Sequence, residues 1–363
     1  MKQTVASELT TELRERWRAL PEGTPLPGER ELALDCGVSR PTLRKAIAVL
    51  RRQGLVYSQP GKGLFRGVAG TADPDRIRGC TIARSLTDIS VFNVEMVKAV
   101  VDSAGTHGVN VLSRVTTRAV DDEKTYLQGL SEQPKLRGLL VNPPFVREDL
   151  AALLPEYRRL QSLGVHVIAV NVPGLELPID HVWFDDCEGM AMMTRYLLEL
   201  GHERICHVAV AAPHIRREIR VRGFEEGLQG TDLAPADYIL DAALADGRFL
   251  GPHPAEWVRD GGVTAFLCHN EDVGALVWAA LAAEGLAVPD NVSVAAYDHI
   301  PHVDRGAPGE FTSAIRDRAL LGRSAFALLL ERLREGPPSR HRACEVVLPV
   351  ELKPGASVVP REA

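Results

Sequence analysis

Apolar positions in the first seventy residues recur at helical spacing and then give way to short extended runs. Glu29-Arg-Glu-Leu-Ala-Leu34 reads as a short helix that stops at Gly37, a residue suited to the left-handed cap conformation. Ser39 is a natural N-cap for a second helix, and Pro41 falls in its first turn, where the missing N–H costs nothing. From there Leu43, Ile47, Leu50 and Leu55 hold one apolar face, which leaves Arg40, Thr42 and Arg44 on the other. Leu55-Val-Tyr-Ser58 and Leu64-Phe-Arg66 flank a Pro60-Gly-Lys-Gly63 tip and read as a hairpin. The stretch from Gly67 to Gly79 is polar and glycine-containing, a linker pattern.

Beyond the linker, strand and helix patterns alternate. Strands are expected near 81–85, 109–113, 136–141 and 165–170, with helices at 94–105, 124–130 and 148–163. The rhythm restarts after residue 185: helices at 189–201, 219–227 and 271–284 alternate with strands at 205–210, 263–268 and 292–296. Such alternation with apolar strand runs predicts an α/β fold of doubly wound parallel sheets. The restart predicts two consecutive lobes with a cleft at the carboxyl ends of their strands, where ligands of open α/β sheets sit.

Two short helices, a tight turn and a glycine-tipped hairpin form the layout of a winged helix-turn-helix, whose second helix enters the DNA major groove. Arg40, Thr42 and Arg44 near a positively ended helix N-terminus suit phosphate and base-edge contacts. Gly61 lets the backbone approach a phosphate, and Lys62 can neutralise one. Charge follows the same division. Residues 1–70 hold 12 Lys/Arg against 7 Asp/Glu, net +5, whereas the remainder holds 30 against 41, net −11. A basic head on an acidic body confines polyanion binding to the N-terminus. The six cysteines fall into no close pair, so reduced, buried thiols and a cytoplasmic location are expected. No secretory signal pattern and no 18-residue apolar span occurs, so no membrane partner is expected. No Gly-x-Ser-x-Gly, HExxH or Walker A pattern appears, and the 11 histidines form no ligand-spaced set; the expectation is no enzyme, no metal and no cofactor. His299 and His302 flank a proline turn and read as solvated.

Residues 26–66 resemble the GntR-type winged-helix domain, whose usual pattern runs Leu-Pro-Ser-Glu-Arg-Glu-Leu-Ala, Gly-Val-Ser-Arg-x-Thr-Val-Arg-x-Ala and Gly-x-Gly-Thr-Phe-Val. The resemblance implies DNA contacts from Arg30, Ser39, Arg40, Thr42, Arg44, Gly61 and Lys62. Gly28 replaces the usual serine and weakens a helix cap, Leu64 replaces the wing threonine, and Pro41 occupies a variable slot that often reads a base. Phe184-Asp-Asp, Tyr196-Leu-Leu-Glu-Leu-Gly-His-Glu-Arg-Ile, Arg220-Val-Arg-Gly-Phe, Phe266-Leu-Cys-His-Asn-Glu-Asp and Val292-Ser-Val-Ala-Ala-Tyr-Asp resemble the effector core of LacI/GalR-type repressors, itself similar to periplasmic sugar-binding proteins. The pairing resembles the arabinose-repressor-like branch. It implies a winged-helix domain over 1–68, a linker over 69–78, a two-lobed effector-binding and dimerisation domain over 79–352, and a tail over 353–363.

Carried over position by position, the effector residues implied are Ser85, Phe92, Asn171, Arg220, Phe249, Asn270, Asp298 and Arg316. Arg, Asp and Asn at strand ends can each bond adjacent hydroxyls of a polyol. Other roles stay open for single residues. Asp298 and Asn270 could cap helices, Arg220 could join a surface ion pair, and Phe249 could be ordinary core. Arg316 stands where the family usually has glutamine. Either the effector has acidic or phosphate character, or Arg316 pairs with Asp298 beside a plain sugar. The expected function is a dimeric repressor released from a palindromic operator by a sugar or sugar-derived effector. The alternative is a GntR-type regulator with a vestigial cleft whose body only dimerises or binds a partner.

Overall fold

Leu9, Leu13 and Trp17 lie at i, i+4 and i+8 and give the first helix a buried stripe that the head needs to close its core. In this computed structural model the described residues are 5–18, 20–21, 23–52, 55–59, 63–66, 77, 79–86, 91–116, 119–133, 135–172, 177–212, 214–243, 248–299, 310–335, 338 and 342–361. The head runs α1 (Val5–Arg18), β1 (Pro25–Leu26), α2 (Glu29–Asp35), α3 (Arg40–Arg52), β2 (Val56–Gln59) and β3 (Gly63–Arg66). β3 lies between β1 and β2 with antiparallel pairing on both sides. Leu32, Leu43, Ile47 and Leu50 bury against α1, so the expected apolar face of the second helix is its inner face. Gly37 takes φ 63°, the left-handed turn that lets α3 start beside α2.

The body opens with β4 (Thr81–Leu86), α4 (Val91–Thr106), β5 (Asn110–Val115), α5 (Val120–Gly129), β6 (Leu136–Val141), α6 (Arg147–Ser162), β7 (His166–Val170) and β8 (Asp180–Phe184). It continues with α7 (Asp186–Glu199), β9 (Ile205–Val210), α8 (Ile215–Gly227), β10 (Ile239–Ala243), β11 (Arg248–Phe249), α9 (Pro254–Arg259), β12 (Ala265–Cys268), α10 (Glu271–Ala283), β13 (Ser293–Tyr297) and β14 (Thr312–Ile315). Last come α11 (Arg318–Glu335), β15 (Glu345–Leu348) and β16 (Glu351–Lys353). The first sheet has the order β15-β8-β7-β6-β4-β5 and is parallel throughout. The second, β11-β10-β9-β12-β13-β14-β16, is parallel except at its two edge strands. Two doubly wound sheets therefore stand as expected; the inner strands are buried on both faces, while the edge strand β5 is largely exposed.

The lobes are not consecutive in the chain, contrary to the expected restart at 185. Past residue 296, α11 returns to the first lobe, burying Leu321, Ala325, Phe326 and Leu329 with Met96 and Val100 of α4. β15 then extends the first sheet beside β8, and β16 extends the second beside β14. The apolar stripe of α11 fits the face of the first sheet that α4 leaves uncovered, and burying it outweighs the sequence order. The chain thus crosses between lobes three times: at Asp185, at Arg316–Asp317 and at Pro349–Val350. Three crossings make a hinge, because each lobe is rigid and only these short segments connect them.

The α7–α8 contact is the tightest helix pair near that hinge. A Cβ on Gly223 of α8 would collide with the Cys187 carbonyl and the Met190 side chain of α7. Replacing Gly223 with Ala is expected to cost about 1–3 kcal/mol through overpacking. Denaturant unfolding checks it; an unchanged midpoint would show that α7 and α8 can separate without loss.

Candidate effector site and DNA interface

The candidate DNA-reading surface is built on a capped helix. The Ser39 hydroxyl accepts the Thr42 N–H at 3.3 Å and meets the Thr42 hydroxyl at 2.8 Å, so both side chains hold the start of α3. Arg40 and Arg44 are exposed. Arg44 is tethered to Glu29 of α2 at 2.8 Å, an exposed pair of little energetic weight that a phosphate could displace. As expected for Gly28, α2 has no side-chain cap bond. Arg66 ends the wing by donating to the carbonyls of Trp17 at 2.8 Å and Leu55 at 3.3 Å, which anchors the hairpin to the helices. The Arg30 side chain, Gly61 and Lys62 lie outside the described residues.

The body gathers its candidates at the hinge. Asp186 begins α7 just past the first crossing and is buried. Arg216 and Arg220 stand four residues apart on α8, hence on one face, and both reach it: Arg216 Nη1 at 2.9 Å and Arg220 Nη2 at 3.5 Å. Arg316, at the second crossing, approaches from the other side at 3.5 Å. Asp298 follows β13 and ion-pairs with Arg220 at 2.7 Å and with Arg316. Tyr297 donates its hydroxyl to Asp186 at 3.2 Å, and the Arg220 guanidinium lies 4.1 Å over its ring. Arg220 also donates to the His269 carbonyl.

Asn171 brings in the first lobe. It follows β7, its carbonyl accepts from Arg216 at 3.0 Å, and its side-chain oxygen accepts from Arg316 at 3.3 Å. Nearby, Arg216 lies 4.5 Å over the Phe145 ring, and the Ile215 N–H donates to the Phe145 carbonyl at 2.8 Å. Asn171 and Asp298 occupy equivalent strand ends in the two lobes, and both take positive φ, 65° and 69°. Asn and Asp tolerate that conformation better than other side chains, and such backbone strain concentrates at functional sites.

Burial alone would raise the carboxyl pKa values of Asp186 and Asp298. The guanidiniums of Arg316, Arg220 and Arg216 outweigh it and hold both below the ordinary carboxylate value. Burial, and then crowding by Arg316 and Arg220, pulls Arg216 down to about 10 despite Asp186 beside it. Burial also holds His269 well below its ordinary value, so it is neutral.

Asn171, Arg220, Asp298 and Arg316 are thus brought together. Asp298 is an ion-pair partner here, and Arg220 is fully buried, so the surface pair does not hold for Arg220; the segment that Asp298 would cap lies outside the described residues. The Asn270 side chain accepts the Val273 N–H at 2.9 Å and caps α10. Ser85 is buried on β4 and donates to Glu123 of α5 at 2.6 Å. Phe249 sits on the edge strand β11, partly buried in the second lobe's core and edge-on to His253. The Phe92 side chain lies outside the described residues, as does His302. His299, expected to be solvated, instead bonds Glu271 at 2.8 Å and Lys353 at 3.2 Å, because β16 and α10 close around it. Asp186 and Arg216 were missed. The i, i+4 spacing of Arg216 and Arg220, and the second aspartate of Phe184-Asp-Asp, were the available signals.

Residues 1–65 match the bacterial regulatory proteins of the gntR family, and residues 194–358 match the periplasmic binding protein-like domain. The chain joins a GntR head to a periplasmic-binding-protein-like body. Relatives include the arabinose metabolism transcriptional repressor of Geobacillus stearothermophilus, 27% identical over 75% of each chain. The ribose operon repressor of Halalkalibacterium halodurans is 24% identical over 86% of this chain and 92% of its own. The body shares its fold with a LacI family regulator from Enterococcus faecium with bound ribose, at TM-score 0.62 and 21% identity over 78% of this chain and all of that one. It also shares it with the operator-bound lac repressor dimer, at TM-score 0.64 and 20% identity over 78% and 95%. Among the described residues of the GntR head and its body, no helix is long and apolar enough to cross a membrane.

Removing one partner of a buried ion pair leaves the others uncompensated. Asp186→Asn is expected to destabilise the body by about 3–5 kcal/mol, read by thermal or denaturant unfolding. The acid response follows from the depressed carboxyl values. The ion pairs stabilise fully above the unfolded carboxylate value near pH 4, and that contribution is lost as pH falls through the lower folded values. The variant should therefore show a shallower loss of stability below about pH 4; an equal slope would contradict the assignment.

Proposed function

We propose that this chain is a ligand-responsive transcriptional repressor that reads operator DNA with α3 as a dimer and is released by an effector bound between the two lobes. The observation that carries the reading is the union of a Ser39-capped, arginine-bearing reading helix with a two-lobed body whose strand-end residues meet at a three-segment hinge. The relatives are named as repressors, and the ribose-bound regulator shares the fold. A sugar or sugar derivative is the effector class these support.

The two-fold partner face is the outer side of the first lobe. Val94 and Val101 are seven residues apart on α4 and exposed, and Leu112 and Val115 are exposed on the adjoining edge strand β5. An unpaired edge strand beside an apolar helix stripe suits self-association. Dimerisation there would set the separation of two reading helices, with half-sites about one helical turn apart or a multiple of it. Effector binding would shift the lobe populations and so the spacing of the helices. A coupling of about 1–3 kcal/mol changes operator affinity roughly 5- to 150-fold.

Selection from a random duplex pool, followed by footprinting, tests the reader. Arg40→Ala and Arg44→Ala should each weaken the selected site by about 1–3 kcal/mol while the body remains folded. Normal footprints from both variants would remove the reader assignment. Val94→Glu with Val101→Glu should yield monomers by light scattering; an unchanged mass would move the interface elsewhere.

A further inference from the structure

The first lobe holds a polar pair that the hinge does not use. Arg84 lies on β4, two residues before the strand end at Leu86, and is only 2% exposed. It stands opposite Leu140 in the ladder and alternates onto the face of Ile82, the face that α4 and α11 cover. Among the described residues no carboxylate meets it, and its Nη1 has no hydrogen-bond partner. Burial alone pulls its pKa down to about 10. Arginine cannot shed its proton to escape such a place, so the fold carries the charge uncompensated.

The complement stands on the next strand. The Asn142 N–H donates to the Ser85 carbonyl at 3.3 Å, which carries the ladder one residue past β6. Its side chain therefore falls on the face of Leu140 and Arg84. Asn142 is 7% exposed; its Nδ2 donates to Asn93 of α4 at 3.3 Å, and its Oδ1 has no partner. A buried donor and a buried acceptor thus lie on one face of neighbouring strands, diagonal to each other in the register. β7, β6 and β4 are successive in the sheet, so Asn142 and Arg84 continue its carboxyl edge from Asn171, at about 5 Å per strand. Ser85, the residue expected here, faces the other way and is taken by Glu123.

We infer that Arg84 and Asn142 form a first-lobe subsite that grips one hydroxyl of a neutral sugar. A hydroxyl oxygen accepts from the Arg84 guanidinium while its proton goes to Asn142 Oδ1, so one group satisfies both. A carboxylate would satisfy the arginine but set a bare acceptor against the amide oxygen. The neutral class also agrees with Arg316, whose partner is Asp298. An uncompensated buried charge weakens a fold, and such breaches are kept where function uses them. The inference rests on the effector-gated reading above and names what the first lobe holds.

Titration calorimetry on the full chain tests it, with L-arabinose, D-ribose, D-xylose, D-glucose and D-galactose beside L-arabinonate and D-gluconate. At least one neutral sugar should bind, and Arg84→Met should weaken it about tenfold or more, as loss of a bond from a charged donor requires. The same variant should melt at or above the temperature of the parent chain, because methionine fills the space without the charge. Asn142→Ala should weaken the same sugar by up to about tenfold, and less when added to Arg84→Met, since both hold one hydroxyl. A sugar bound equally by the parent chain and by Arg84→Met would overturn the subsite, assign the pair to an internal water and leave the effector-gated reading standing. A lowered melting temperature or loss of fold in Arg84→Met would make Arg84 a support of the core and overturn the subsite too. Tighter binding of an aldonate than of its parent aldose would overturn the neutral hydroxyl. Binding of nothing in the panel would overturn both the subsite and the effector reading.

Discussion

Asp186 is a buried carboxylate at the first crossing between the lobes, and three guanidiniums from two chain segments converge on it. A carboxylate in that place is tolerable only while those cations stay, and the cations only while it and Asp298 stay. The mutual requirement ties the start of α7, the face of α8 and the end of β14 to one another. Through Asn171 it also ties them to the first lobe. Such a group has few acceptable arrangements, so a change at its mouth reaches the lobe orientation instead of being absorbed locally.

A path leads outward from there. His299 follows Asp298, and its carbonyl accepts from Arg318 of α11 at 2.7 Å. Arg318 also faces Glu95 of α4 at 3.8 Å, and α4 and α11 share the first lobe's core. Val94 and Val101, the proposed partner face, are on that same α4. The residue that would feel an effector is therefore two contacts from the helix that would set the spacing of the DNA readers.

Much of this was legible in the chain. The turn at Gly37, the Ser39 cap and the apolar face of α3 are local signals, and local chemistry decides them. The parallel sheets follow from apolar runs in alternation with helical patterns. The return of α11 to the first lobe was not legible, because an amphipathic helix does not state which sheet it will cover. Nor was the state of Asp298: one aspartate at a strand end can cap a helix, bind a ligand or neutralise an arginine. Only the positions of Arg220 and Arg316, 78 and 18 residues away in the chain, decide it. Arg316 itself was visible as a departure from the resembled pattern, and its pairing with Asp298 was one of the two outcomes the sequence left open.

The central claim is that Arg216 and Arg316, held in place by the buried Asp186, tie the second lobe to the first through Asn171. Small-angle X-ray scattering compares the full chain with its Asp186→Asn form most directly. The account expects the variant, folded by circular dichroism, to show a larger radius of gyration as the lobes part at the three crossings. Superimposable profiles from the two proteins would contradict it.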